Sequence, residues 1–339
     1  MSQPLPSLIG MNLDDLTALT AECGLPRFQA KQIARLLYAK RIASIDAMTY
    51  LPKAARELMA ARYRIGREAP IERVASADGT VKYLFDAGDG CAVESVFIPE
   101  ADRATLCISS QKGCKMGCTF CMTGRQGFHG NLTAAQIINQ VLSIPESEQL
   151  TNVVFMGMGE PTDNLEAVIS AIGILTADWG LAWSPKRVTV SSIGRIAELR
   201  AIIERTDVHI AISVHSPFHE ERLELMPVER AYRIADVIDA MRDYDFAHQR
   251  RLSVEYIVWD RLNDDYRHAD ALAQLLRGTA ARVNLIRFHR IPASPLKPAP
   301  MATMEAFRDR LNAAGVLCTI RRSRGEDIQA ACGMLAGKH

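Results

Sequence analysis

No stretch of the 339-residue sequence approaches the roughly 18 uninterrupted apolar residues of a membrane span. The opening residues hold no basic stretch leading into an apolar run, so no secretory leader is expected and the protein reads as soluble and cytoplasmic. Net charge is small as well: 40 Lys and Arg stand against 39 Asp and Glu, for a formal +1. The total therefore argues neither for nor against a nucleic-acid partner. There is no internal repeat, which excludes a solenoid or propeller. With 48% hydrophobic and 23% charged residues, wholesale disorder is excluded too.

The distribution of charge says more than its sum. Residues 1–70 carry +4 and residues 281–339 carry +6, which leaves −9 for the middle. A polyanion lying across the two ends would suit this asymmetry, as would ordinarily solvated helix faces. The eight cysteines are sharper evidence. Four of them, Cys107, Cys114, Cys118 and Cys121, fall within fifteen residues. In an intracellular chain of this length such crowding points to a metal centre or thiol chemistry and not to a disulfide framework.

Three textures follow one another along the chain. Residues 1–70 read as a small helical module, with a helix after Asn12, a second after Pro26 and a third in KAARELMAARY. Residues 71–103 alternate in short segments broken by Asp78-Gly79 and Gly88-Asp89-Gly90, the pattern of a β-hairpin linker. From 104 to 339, apolar strand-like runs at TLCISS, NVVFM, RVTVSS, HIAISV, LSVEYIV, VNLIRF and LCTIR are separated by helical stretches. Alternation of this kind makes an α/β domain, here a partial (β/α)6-type barrel. A dinucleotide fold would need a Gly-rich turn after the first of these strands, and GCKMGCTFC stands there instead.

Cys114, Cys118 and Cys121 form CxxxCxxC directly after that strand. Three thiolates on one loop converge on a soft centre and leave one coordination position open. Zinc closed by a remote fourth ligand is the alternative metal. Gly157–Pro161, reading GMGEP, follow the next strand. Strand-terminal glycines let backbone approach a ligand, and Glu160 can accept hydrogen bonds from an ammonium group. Cys332 lies 211 residues beyond Cys121, and Cys107 sits on the first barrel strand. Either alone reads equally well as a core residue. Glu94, in CAVESVFIP, reads from its alternation either as a base or as a solvated strand residue.

These motifs together resemble one family. The triad with Phe120 before its last cysteine is similar to the signature of radical S-adenosylmethionine (SAM) enzymes. CISSQKGCKMGCTFCMTGRQGF, VFMGMGEPTDN, ISVHSP, the MP of LELMPVER and RRSRGEDIQAACGMLAG resemble, in order and placement, the dual-specificity adenine-C2 methyltransferases of 23S rRNA and tRNA. The likeness runs over nearly the whole chain. It implies a 4Fe-4S cluster on Cys114, Cys118 and Cys121, with SAM held at Gly159, Glu160, Ser191, Ser213, Val214 and His215. Where the family commonly has Asn after the sixth strand, this chain has His289 in NLIRFH, and a histidine retains the capacity to hydrogen-bond the cofactor.

The resemblance also makes Cys107 and Cys332 a working pair. It implies two SAM per turnover, one methylating Cys332 and one giving a 5′-deoxyadenosyl radical that takes hydrogen from that methyl group. The resulting carbon adds to adenine C2, Cys107 resolves the protein–RNA adduct through a disulfide, and Glu94 accepts the C2 proton. Adenine C2 is an electron-poor carbon that a polar methyl donor attacks poorly, which gives radical chemistry its reason. The implied partners are 23S rRNA, tRNA and an electron donor such as flavodoxin or ferredoxin, with the protein acting as a monomer.

For RNA phosphates the expected contacts are Arg27, Lys31, Arg35, Lys40 and Arg41 at the front and Arg321, Arg322 and Arg324 near the end. Lys112, Arg125 and Gln126 are further possibilities. Two alternatives stand beside the C2 enzyme: the related adenine-C8 methyltransferase that confers antibiotic resistance, and a non-catalytic RNA-binding relative.

Overall fold

The computed structural model describes residues 5–336 except Gln249 and Ala293. Three helices open the chain: α1 (Leu13–Glu22), α2 (Gln29–Tyr38) and α3 (Lys53–Arg62). The start of α1 is fixed by a capping box, in which the Asn12 side chain accepts from the Asp14 and Asp15 N–H groups and the Asp15 carboxylate accepts from that of Asn12. Ile33, Ala34 and Leu37 give α2 its apolar stripe, while Arg27, Lys31, Arg35 and Lys40 stay in solvent. Arg41 does not join them. It turns inward to the Ser147 carbonyl at 3.3 Å and so leaves the expected phosphate-binding face.

Residues 71–103, expected as a hairpin linker, supply β1 (Glu72–Ala75), β2 (Val81–Gly88) and β3 (Cys91–Pro99). These pair antiparallel, and β3 pairs antiparallel with β4 (Ala104–Cys107), so they extend the sheet of the α/β region. Parallel strands then follow in sheet order: β4, β7 (Asn152–Phe155), β8 (Val188–Ser192), β9 (His209–Ser213), β10 (Leu252–Val258), β11 (Arg282–Arg287) and β12 (Cys318–Ile320). A short antiparallel pair, β5 (Gln111–Gly113) and β6 (Phe128–Asn131), brackets the cysteine loop and its one-turn helix α4 (Met122–Arg125).

The outer layer comprises α5 (Ala134–Leu142), α6 (Leu165–Thr176), α7 (Ile196–Arg205), α8 (His219–Leu225), α9 (Ile234–Met241), α10 (Tyr266–Leu275) and α11 (Met301–Ala313). Six strand–helix units closed by β12 give the expected partial barrel, wound from the right-handed parallel crossovers that helices of this length allow. Val153, Val188, Val190, Ile210, Ile212, Val254 and Leu285 bury their side chains in one continuous core with these helices and the N-terminal module. Among the described residues no helix is long and apolar enough to cross a membrane.

The inward face is different. Register sets Cys107 opposite Val154, Val154 opposite Thr189 and Thr189 opposite His209. A second inward row runs Ser213, Glu255, Asn284 and Thr319. Closed eight-stranded barrels fill their interior with branched apolar side chains. Here the open sheet and its polar rows leave a cavity of about 900 Å³.

Candidate active site

The cysteine loop leaves β5 through Gly113, whose left-handed φ of 78° brings it against the Gly127 carbonyl, and the Cys114 N–H then donates to that carbonyl at 2.9 Å. Cys118 is buried, beside Phe120, Met226, Trp259 and Phe288, which keep this end of the barrel dry. Burial pushes the Cys114 thiol up to about 12 and that of Cys118 well above its ordinary value, each raised further by the neighbouring thiols. The Met116 N–H faces the Cys114 sulfur, and the N–H groups of Thr123 and Gly124 face that of Cys121. Donors aimed at sulfur suit thiolates bound to a cluster that supplies the missing positive charge. Among the described residues no three His, Cys, Asp or Glu side chains close tightly enough to grip a single ion. Three thiols on one loop with N–H groups aimed at two of them fit a 4Fe-4S centre in donor chemistry.

GMGEP is locked against the loop after β4. The Ser110 N–H donates to the Met158 carbonyl at 2.8 Å, and the Glu160 N–H to Gln111 Oε1 at 2.8 Å. Gly159 has φ +95°, and a Cβ there would stand 2.5 Å from that of Gln111, so only glycine fits. Glu160 is buried, which pushes its carboxyl up. Its carboxylate is held by Thr162 and by the Ile193 N–H at 3.2 Å. A buried carboxylate beside three thiols is a fit for the ammonium end of an amino-acid ligand.

Ser191 ends an inward alternation on β8, and Ser213 closes β9. Val214 is fully buried, so its contribution is backbone. His215 has a left-handed φ of 62°, and its Nδ1 accepts from the Ile257 N–H at 3.0 Å. That bond leaves the ring proton on Nε2, and burial lowers its pKa to about 3, so the imidazole stays neutral. Sequence reasoning missed the residue that gathers this rim. Arg222 is fully buried, donates to the carbonyls of Ile193, Ser213 and Val214, and pairs with Glu229. The only sequence signal was its place just before LELMPVER.

The C-terminal segment reaches the loop through three bonds: Met122 N–H to the Gly333 carbonyl at 2.8 Å, Thr123 Oγ1 to that of Leu335 at 2.7 Å, and Gln126 Nε2 to that of Ala336. Cys332 is thereby carried to the cavity, where Arg321 and His289 also line the wall. Burial and then Cys332 push the Cys107 thiol up to about 12, while the Arg321 guanidinium acts in the opposite direction. Burial opposes the charge of Arg321, yet Cys332 and Glu255 hold it firmly protonated. Its Nη1 lies 3.3 Å from Glu255 Oε2. All eight cysteines are free thiols.

Several expectations are corrected. Arg321 points into the barrel because β12 register turns Thr319 and Arg321 inward, so it is no outer phosphate contact. Lys112 is tied to Asp89 at 2.8 Å, Arg125 to the Thr119 and Pro292 carbonyls, and Gln126 to the C-terminal segment. Glu94 is not solvated: it is 6% exposed. Since Val96 pairs with Cys107, Glu94 two residues on shares the inward face. It pairs with Lys82 at 2.9 Å and accepts from the Ala336 N–H at 2.7 Å. His289 meets Ser323 at 3.1 Å and Glu326 at 3.4 Å, so both ring nitrogens face the C-terminal segment.

A partial barrel with a three-cysteine loop and a glycine–glutamate rim defines a radical SAM enzyme, and residues 108–272 match that superfamily. Residues 7–65 match the ribosomal RNA large subunit methyltransferase N-terminal domain. The chain is 56% identical over 97% of its length to the probable dual-specificity RNA methyltransferase RlmN of Parabacteroides distasonis, covering 96% of that protein. It is 41% identical to the dual-specificity RNA methyltransferase RlmN of Halorhodospira halophila, over 98% of this chain and 93% of that one. A radical SAM methyltransferase structure from Sphaerobacter thermophilus superposes with a TM-score of 0.91 at 38% identity, covering 99% of this chain and all of that one. The chain belongs to the RlmN family of dual-specificity RNA methyltransferases.

Proposed function

We propose that this chain forms 2-methyladenosine in 23S rRNA, and in tRNA beside the anticodon, with Cys332 as methyl carrier and Cys107 as resolving thiol. Family membership supports SAM-dependent RNA methylation. The observation that supports the cysteine roles is that the C-terminal segment brings Cys332, exposed on the cavity wall, within electrostatic reach of both Cys107 and Arg321. A pure binding protein has no physical need for that proximity.

When bound, a 4Fe-4S cluster and SAM supply a 5′-deoxyadenosyl radical, with the electron coming from a reduced flavodoxin or ferredoxin. The residues of the chain do the rest. Cys332 gives up its thiol proton and takes the methyl group of a first SAM. Arg321 acts toward the thiolate form of Cys107, which is the reactive form. Once the carbon is bonded to adenine C2, the adduct's one unpaired electron would return to the oxidised cluster, and Glu94 takes the C2 proton from the inward face it shares with Cys107. Cys107 thiolate then attacks the Cys332 sulfur, the sulfur–carbon bond breaks with its electron pair going to the carbon, which takes a proton to become the methyl group, and a disulfide remains. Adenine is unstacked to reach this interior, because C2 is shielded in a duplex.

The test is Cys107→Ala in an anaerobic reaction with cluster-reconstituted protein, SAM, reductant and a 23S rRNA fragment. A protein–RNA species that survives denaturing electrophoresis is expected. Free methylated RNA from this variant would overturn the assignment.

A further inference from the structure

The end of the barrel away from the cysteines carries an unassigned feature. Lys186 lies just before β8, His209 opens β9, Arg251 immediately precedes β10 and Arg282 opens β11. These four strands are consecutive neighbours in the sheet. Neighbouring strands lie about 4.8 Å apart, so the four side chains form one arc, of which Lys186, Arg251 and Arg282 are the cations. Their proximity is registered on His209, whose pKa burial and then Arg251, Lys186 and Arg282 lower to about 4. Lys186, Arg251 and Arg282 are exposed, and among the described residues none has a carboxylate within ion-pair distance. Glu100 and Asp207, the acidic groups nearby, are taken by Arg103 and Arg250.

This arc is the mouth of the cavity that ends at Cys332. The inward row Cys107, Val154, Thr189, His209 joins the two ends, and its three strand spacings span on the order of 14 Å. At about 900 Å³ the space lies within the roughly 300–1,000 Å³ of small-molecule sites, and so admits one nucleotide and not a duplex.

Resting on the RNA-methyltransferase function, we propose that the acceptor RNA lies across this N-terminal mouth. Its backbone phosphates sit on Lys186, Arg251 and Arg282, and the target nucleotide passes up the interior to Cys332. The ring fixes position and carries no sequence information, as cations on phosphates do.

The test compares wild type with Lys186→Glu/Arg251→Glu/Arg282→Glu and with the charge-keeping Lys186→Arg/Arg251→Lys/Arg282→Lys. The probe is a fluorescein-labelled 23S rRNA fragment titrated at several salt concentrations. Three lost contacts to single-stranded phosphates flatten the plot of log K against log salt by about 2, at roughly 0.7 each. The reversed variant is expected to show that flattening and at least about tenfold weaker binding. It should still methylate Cys332 without RNA, read by intact mass, while the charge-keeping variant binds as wild type does.

Unchanged affinity and slope in the reversed variant, with wild type active on RNA, would overturn the mouth. Lost binding in that variant, with a wild type that never methylates RNA, would instead sink the methyltransferase function and leave the mouth standing. Thr189→Phe tests the route: RNA binding and Cys332 methylation persist while RNA methylation falls at least tenfold. Undiminished RNA methylation in Thr189→Phe would refute passage through the interior.

Discussion

The two ends of the barrel are built on opposite principles. At the C-terminal rim nearly every polar group is spoken for: Arg222 holds three carbonyls, Glu160 is held by Thr162 and Ile193, and His215 is fixed by Ile257. At the N-terminal mouth Lys186, Arg251 and Arg282 face solvent, with no carboxylate within ion-pair distance among the described residues. The rim is preorganised to hold a small cofactor in one pose, where looseness costs rate. The mouth is suited to a large polyanion that needs charge and tolerates variation.

The comparison breaks most severely if the rim can be loosened without effect. Arg222→Met leaves Glu229 buried without its main partner, and removing one member of such a pair costs about 3–5 kcal/mol. Urea unfolding should show that loss, with SAM binding weakened alongside. Gly159→Ala comes next. Its positive φ alone costs about 1–3 kcal/mol, and the contact with Gln111 adds to it, so SAM affinity measured by calorimetry should fall at least tenfold. Wild-type affinity in that variant would remove the close backbone approach from the account.

Smaller changes sharpen the contrast by touching neither end. Asn12→Ala removes the α1 cap and should cost about 1 kcal/mol by urea denaturation, with RNA methylation unchanged. The smallest effect is one of pH. Burial acts to raise the Asp78 carboxyl, but hydrogen bonds from Thr80, Gly325 and Ser76 bring it down to about 2. A depressed carboxyl adds stability above its unfolded value near 3.8, and that stability drains away as pH falls toward about 2. The melting-temperature gap between wild type and Asp78→Asn should therefore be present at pH 6 and close between pH 4 and 2. The group is largely exposed, so the gap is small.

Much of this architecture was legible in the residues. Strands such as LSVEYIV and helices such as LEAVISAIGIL announce themselves by period, because a buried sheet and its covering helices demand it. The cysteine loop was legible because its ligands are local. What was hidden depends on register and long-range contact. RRSR reads as surface charge, yet the parity of a three-residue strand turns Arg321 inward. Glu94 alternates as a solvated residue would, but β3 is covered on both faces. The strands β5 and β6 were missed because three and four residues carry no periodic signal.

That Cys332 and Cys107 come within electrostatic reach of each other is a relation no local pattern can encode, and their pairing was suggested only by the family resemblance. The basic arc was missed for a related reason. Lys186, Arg251 and Arg282 are scattered over nearly a hundred residues, and only parallel strand order brings them side by side.

The most direct test of the central claim is mass spectrometry of nucleosides from a 23S rRNA fragment after anaerobic incubation with cluster-reconstituted protein, SAM and a reductant. 2-Methyladenosine is the expected product. An 8-methyladenosine product, or no methylated adenosine from either the fragment or a tRNA with the cluster intact, would contradict it.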